Sequence, residues 1–332
     1  MKKFFKRNFL ALLCLLMALT LLTACAGDLA DIASETDVSS EGTADKPSDI
    51  PSDNVIAQDT VFDEGNVVLS FGSISDVHLT GTDNDQAEQY FRSAISQLRE
   101  KASVLDKDGL DAIAMAGDIA DHGKKTEIEQ LKNIVDGYGI NNIMLTTGNH
   151  DNDHDPNTEK VFLTDFYDVM GDRYFGCATD LSMLDKGAYH CVVGGYHFIF
   201  IEPKKYADYA PYDADVLEWL DATLKAITSE SPDSYVFIYT HPMIYKTVYG
   251  SNDEINKKNL ATKYLTQTLS KYPQVVTFSG HLHFPLNDER SIMQTSFTSL
   301  GCGAVRNVFV EICLKTLMEQ SRLSAWTYQL VF

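Results

Sequence analysis

Positive charge is scarce in this sequence: 27 Lys and Arg stand against 47 Asp and Glu. Four of the 27, Lys2, Lys3, Lys6 and Arg7, precede residue 25, so the chain beyond that point keeps 23 and carries a formal charge of −24. Such a balance repels polyanions at long range, which argues against a nucleic-acid polymer as partner and for a small substrate. A long hydrophobic run is also missing. The apolar stretch at residues 9–22 stops short of the roughly 20 residues that span a bilayer. The six cysteines match no zinc spacing, and no internal repeat is evident.

What is present begins with an export signal over residues 1–24: a basic start, a short apolar core and a small-residue site. Leu22-Thr23-Ala24-Cys25 resembles a bacterial lipobox, which implies cleavage before Cys25 and a diacylglycerol on its thiol. An ordinary secretory signal or an uncleaved anchor is the plainer reading. The expected location is extracytoplasmic, with membrane contact through the lipid on Cys25 alone. Residues 25–65 are acidic, rich in Ser and Thr and poor in large apolar side chains. They read as a flexible tether, because they bury too little surface to offset ordering entropy. Residues 66–312 read as one domain, and 313–332 as a tail that is a closing helix, a late strand or irregular. Export permits a Cys177–Cys191 disulfide. Cys191 lies in an apolar, strand-like run at 189–201, so a buried thiol fits equally well.

Within the domain, apolar strands alternate with amphipathic helices. Strands are predicted at 67–74, 110–116, 142–147, 235–240, 275–279, 292–297 and 305–310, and helices at 85–105, 124–135, 213–227 and 257–269. This alternation implies an α/β fold with a parallel or mixed sheet.

Five polar motifs each follow an apolar strand, where open α/β sheets place their ligand sites. They are Asp76-Val77-His78, Gly117-Asp118-Ile119-Ala120-Asp121-His122-Gly123, Gly148-Asn149-His150-Asp151, His241, and Gly280-His281-Leu282-His283. Singly, Asp-x-His is a common loop, Gly-Asp a turn, and His241 before Pro242 a hydrogen-bonded turn histidine. Together they deliver Asp, Asn or His from five strand ends, which points to metal. An i, i+2 pair leaving a strand projects both side chains one way, so Asp76 and His78 can share an ion, and His281 and His283 can reach the same ion or neighbouring ones. Imidazole with carboxylate and amide oxygen suits Mn, Fe, Zn or Co better than Ca. The glycines before Asp118, Asn149 and His281 are expected to turn the backbone sharply off each strand.

In this order the five motifs resemble the signature of the calcineurin-like metallophosphoesterases. The resemblance implies two mixed β-sheets sandwiched between helices in four layers. It implies two divalent ions, Mn, Fe or Zn: one held by Asp76, His78, Asp118 and His283, the other by Asp118, Asn149, His241 and His281, with Asp118 bridging. It implies hydrolysis of a phosphomonoester or phosphodiester by a bridging hydroxide. His150 would be the catalytic histidine, and Asp151 would orient it. Purple acid phosphatases carry a metal-bound Tyr where this chain has Asp121, so their charge-transfer colour is not expected. The competing readings are an extracytoplasmic solute-binding lipoprotein and a metal-binding pseudoenzyme; His150 argues against the second.

His122 and His154 stand near the motifs as candidate outer partners, and Lys246, Arg290 and Arg306 as candidate phosphate contacts. Tyr206, Tyr209, Tyr212, Tyr245 and Tyr249 crowd two loops and are read either as packing or as a stacking wall. The anchor has a direct test. Cys25→Ser should release the protein from membranes while leaving its soluble activity unchanged, which fractionation after a high-salt wash checks.

Overall fold

The structure, a computed structural model, describes residues 68–105, 109–152, 161–171, 176–203, 212–251, 263–286, 288–306 and 329–331. The signal, Cys25, the tether, His154, Tyr206, Tyr209 and Cys313 lie outside them. Among the described residues no helix is long and apolar enough to cross a membrane.

Eleven strands and five α-helices follow one another along the described chain. They are β1 (Ser70–Ile74), α1 (Gln86–Leu105), β2 (Ala112–Ala116), α2 (Lys125–Tyr138), β3 (Asn142–Thr146), α3 (Val161–Met170), β4 (Ala178–Asp180), β5 (Ala188–Val193), β6 (Tyr196–Ile201), α4 (Ala214–Glu230), β7 (Val236–Tyr239), α5 (Lys263–Leu269), β8 (Val275–Ser279), β9 (Ile292–Gln294), β10 (Thr298–Gly301) and β11 (Gln329–Val331). They form two sheets. The first runs β11-β1-β2-β3, with β1, β2 and β3 parallel and β11 antiparallel on the edge. The second runs β4-β5-β6-β7-β8-β10-β9, parallel from β6 to β10 and antiparallel at both ends.

Strand alternation assigns each side chain to a layer. In β6 and β7, Phe198, Phe200, Phe237 and Tyr239 face the first sheet, while Ile199, Ile201, Val236 and Ile238 face the other way. Phe71 of β1 meets Phe198 and Phe237 with ring centroids 5.0 Å away in each case. On the outer face of the second sheet, Val216, Leu220, Leu224 and Ile227 of α4 join Leu265 and Leu269 of α5. Phe91, Ile95 and Leu98 of α1 and Ile128, Leu131 and Ile134 of α2 belong to the core of the first sheet. The architecture is the expected one, two sheets flanked by helices, with β1, β2, β7 and β8 buried along their whole length.

The helices end where local chemistry ends them. Asp213 accepts from the Asp215 amide at the start of α4, and Gly139, at φ 67°, closes α2 in the left-handed conformation.

Three sequence expectations differ from what is observed. The apolar run at 189–201 is a hairpin, β5 and β6, because Gly194 and Gly195 adopt φ 58° and 84° and reverse the chain. Of the two readings left open for Cys191, the buried thiol is the one observed: no disulfide joins it to Cys177. The strand expected at 292–297 ends at Gln294, and β10 follows at 298–301, where its polar and glycine-ended text hid it. Val305 and Arg306 are in no strand, and residues 307–310 lie outside the described set.

Polar contacts also join the sheets. β3 is an edge strand, so the Leu145 amide and carbonyl have no strand on that side. The Tyr189 hydroxyl serves both, accepting from Leu145 N at 2.9 Å and donating to Leu145 O at 2.7 Å. Thr146 Oγ1 donates to Ile201 O at 2.9 Å. Tyr189→Phe strands two buried backbone groups, so it should destabilise the fold by about 1–3 kcal/mol, measured by denaturant unfolding.

Candidate metal centre

All five polar motifs lie at the carboxyl ends of parallel strands. Asp76 and His78 follow β1, Asp118 follows β2, Asn149 and His150 follow β3, His241 follows β7, and His281 and His283 follow β8. Three strands of one sheet and two of the other thus supply one cluster.

The loops converge through an unusual backbone. Asp76, His78, Asp118, His281 and His283 all adopt positive φ, between 51° and 79°. The pairs therefore do not project as continuing strands would; each candidate ligand is turned individually. Left-handed non-glycine residues cost on the order of 1 kcal/mol or more and persist where surroundings over-determine them. Here the surroundings are hydrogen bonds: Asp76 N, His78 N and Leu79 N donate to the carbonyls of Gly117, Asp118 and Ile119, which locks the first loop to the second. The glycines act differently from expectation at two positions. Gly148 and Gly280 are not left-handed; they are required for space. A Cβ at Gly148 would run into the Asp118 carboxylate and backbone, and one at Gly280 into Ser75 and Asp76.

Asp118 is buried and central. Its Oδ1 accepts from His150 N at 2.8 Å. Its Oδ2 lies 3.2 Å from His241 Nε2 and 3.8 Å from His78 Nε2. Burial opposes its charge, but His241 and His78 hold its carboxyl well below the usual range. His241 donates from Nδ1 to Ala116 O at 2.7 Å, which turns Nε2 toward Asp118. Burial lowers its proton affinity, yet Asp118 and Asp76 outweigh that and push it up to about 9. An ion taking Nε2 displaces that proton. Burial lowers His78 and His281 to about 4, so both rings are neutral, as ligands must be. Asp76 accepts from His281 N at 3.1 Å and faces His283 Nε2 at 2.8 Å.

Three sets of side chains have ligand atoms within 4.8 Å of one another: Asp76, His78 and His283; His78, Asp118 and His150; and Asp76, Asp118 and His241. Asp118, Asp76 and His78 each lie in two of them, although the resemblance implied one site only for Asp76 and for His78. His150 enters a set although expected outside it, and His281 joins none among the described residues. His281 stands close, its ring centroid 5.1 Å from that of His241. The residues fit cations on a separate observation. His78 Nε2 and Asn149 Oδ1 are buried without a hydrogen-bond partner, an arrangement that costs about 1–3 kcal/mol per group unless something coordinates it.

The sequence profile of calcineurin-like phosphoesterases matches residues 69–285, which hold every motif above. The chain belongs to the calcineurin-like phosphoesterases. That family hydrolyses phosphoric esters. A comparison with curated proteins found no match. Among solved structures, the purple acid phosphatase PPD1 from yellow lupin (Lupinus luteus) seeds aligns at 12% identity and TM-score 0.46, covering 65% of this chain and 38% of that one. PhoD aligns at 10% identity and TM-score 0.43, covering 72% and 57%. A candidate 5′-nucleotidase from Staphylococcus aureus aligns at 15% identity and TM-score 0.42, covering 71% and 49%. This calcineurin-like phosphoesterase therefore spans only about four to six tenths of their lengths.

Two outer residues behave differently from expectation. The hydrogen bonds described for the Asp151 carboxyl go to backbone amides and none to the His150 ring. Its oxygens accept from Ile119 N, Ala120 N and Gly148 N at 3.0, 2.7 and 2.7 Å. Burial and the Asp118 charge push its carboxyl up, while these bonds oppose them. With donors on both oxygens, Asp151 clamps the second and third loops together. His150 Nδ1 instead donates to the Asp121 carbonyl at 3.1 Å. Asp121 was legible only as a motif letter. Its Oδ1 lies 3.2 Å from His78 Nδ1, a contact between residues 43 apart that no spacing announces. Lys246 and Arg290 stand in contacts of their own: Lys246 Nζ lies over the Tyr245 ring and the Arg290 guanidinium over the Tyr249 ring.

If Asp118 bridges two ions, as the resemblance to the family implies, Asp118→Ala should lose both and Asn149→Ala mainly one, and Gly148→Ala should approach Asp118→Ala because the added methyl displaces that carboxylate. Elemental analysis of the purified proteins measures all three.

Proposed function

We propose that this chain is an exported, lipid-anchored enzyme that hydrolyses a small phosphomonoester or phosphodiester at a centre of two divalent transition-metal ions, Mn, Fe or Zn. The observation that supports it most is the convergence of Asp76, His78, Asp118, Asn149, His241, His281 and His283 from five strand ends, most of them in strained backbone. A binding lipoprotein has no need of such strain, and a structural metal has no need of the half-exposed His150 beside it.

Asp76, His78, Asp118 and His283 would hold one ion, and Asp118, Asn149, His241 and His281 the other. Asp118 is the common residue, because its Oδ2 stands between His78 and His241. Bound divalent ions supply positive charge for phosphoryl oxygens and a water of lowered pKa. The chain supplies orientation and a proton. His150 is fixed by two bonds, from its amide to Asp118 and from Nδ1 to the Asp121 carbonyl. Since a carbonyl only accepts, Nδ1 carries hydrogen; with a second proton on Nε2 the ring is an imidazolium, and Nε2 is the atom that would give that proton to the departing oxygen, leaving the neutral Nδ1–H ring. The acidic surface disfavours long nucleic acids as substrates, and the lipid on Cys25 would hold the enzyme outside the cytoplasm.

Loss of a proton donor affects leaving groups unequally. An aryloxide departs with its negative charge, whereas an alkoxide needs the proton. General acid catalysis contributes about 10²- to 10⁴-fold. His150→Ala should therefore lose kcat by that order on alkyl phosphate esters and much less on nitrophenyl esters, at unchanged metal content. A kcat series over leaving-group pKa measures it; equal losses throughout would leave His150 without the acid role.

A further inference from the structure

Asp121 gathers four groups, three on its mostly buried carboxylate and one on its backbone carbonyl. His78 Nδ1 lies 3.2 Å from its Oδ1, His122 Nε2 lies 3.5 Å from its Oδ2, and His150 Nδ1 donates to its carbonyl. The fourth is Arg306, whose Nη1 donates to the same Oδ1 that faces His78. Arg306 lies 185 positions along the chain and beyond the region that the family profile matches. It belongs to the segment after β10, and that segment is tied down. Val305 N and Arg306 N donate at 3.0 Å to the carbonyls of Ser75 and Asp76, in the loop that carries Asp76 and His78.

We propose that Arg306 is a positioning residue of the metal centre: its ion pair keeps the Asp121 carboxylate against Nδ1 of His78 and the Asp121 loop beneath Nδ1 of His150. The inference rests on the metal reading above. A carboxylate on Nδ1 fixes a ligating imidazole in the tautomer that presents Nε2, and partners of this kind commonly change metal affinity about 10- to 100-fold. The carboxylate can turn about its own bond. Arg306 removes that freedom, since its donor shares the oxygen that His78 uses and its backbone is anchored to the same loop. The guanidinium is half-exposed, and exposed ion pairs add little to stability. The effect therefore belongs to orientation.

The test follows ion loss from the purified, metal-loaded protein to a chromogenic chelator, beside kcat and KM on an alkyl phosphate. Arg306→Ala should weaken one of the two ions by about 10- to 100-fold, lower kcat and leave KM in place. Arg306→Lys keeps the charge and should recover part of both effects, and it serves as the readout if the alanine variant melts well below wild type. Asp121→Asn should show the same loss, and combining it with Arg306→Ala should add little, since the two act through one contact. Unchanged ion retention and kcat in Arg306→Ala would reduce the pair to a surface contact and overturn the inference. Raised KM with unchanged kcat and ion retention would overturn it in favour of a direct substrate contact. Wild-type protein that holds no ion would overturn the metal reading itself.

Discussion

The structure depends on keeping a buried carboxylate charged. Asp118 lies between two sheets in a region that excludes water, and an ion there is costly unless every oxygen is met. It is met from several directions: the His150 amide on one oxygen, His241 and His78 beside the other. Each partner comes from a different strand end. The three loops cannot move independently without stranding that charge, so the electrostatic requirement of one side chain becomes a geometric requirement on both sheets.

The loops satisfy it by giving up ordinary backbone. Five candidate ligands take left-handed φ, and two glycines, Gly148 and Gly280, leave room for Asp118 and Asp76. Asp151 reinforces the arrangement from behind. Two of its three amide bonds, from Ile119 and Ala120, join the loop after β2 to the loop after β3, and the third, from Gly148, closes the latter loop on itself, as the backbone rungs from Asp76, His78 and Leu79 join the loops after β1 and β2. Strain held at the site is balanced by packing elsewhere: a core of aromatic rings between the sheets, and the Tyr189 hydroxyl closing the open edge of β3.

Outside the candidate ligands lies a second ring of polar groups with a direction to it. Ala116 O fixes the His241 ring, Asp121 fixes His78, and the Asp121 carbonyl fixes His150. In each case the partner occupies Nδ1, so Nε2 is the nitrogen left for the centre. A common tautomer for three histidines from three strands is a property of the surrounding backbone as much as of the rings.

Much of this was legible in the sequence. The alternation of apolar strands with amphipathic helices determined the α/β class, because periods of 2 and 3.6 are imposed by backbone geometry alone. The motif letters determined the candidate ligands, because each follows an apolar strand and only Asp, Asn and His carry the necessary donor atoms. The hairpin at 188–201, β10 and the helix at 161–170 were less legible, since continuous burial or polar text erases the period that marks an element. Tertiary structure alone decided which atoms meet. It set Asp118 between His78 and His241, assigned Asp151 to the loops instead of to His150, and brought Arg306 to Asp121 across 185 positions. Sequence spacing predicts neighbours only within one helix or strand; contacts between the ends of separate strands exist only after the sheets have packed.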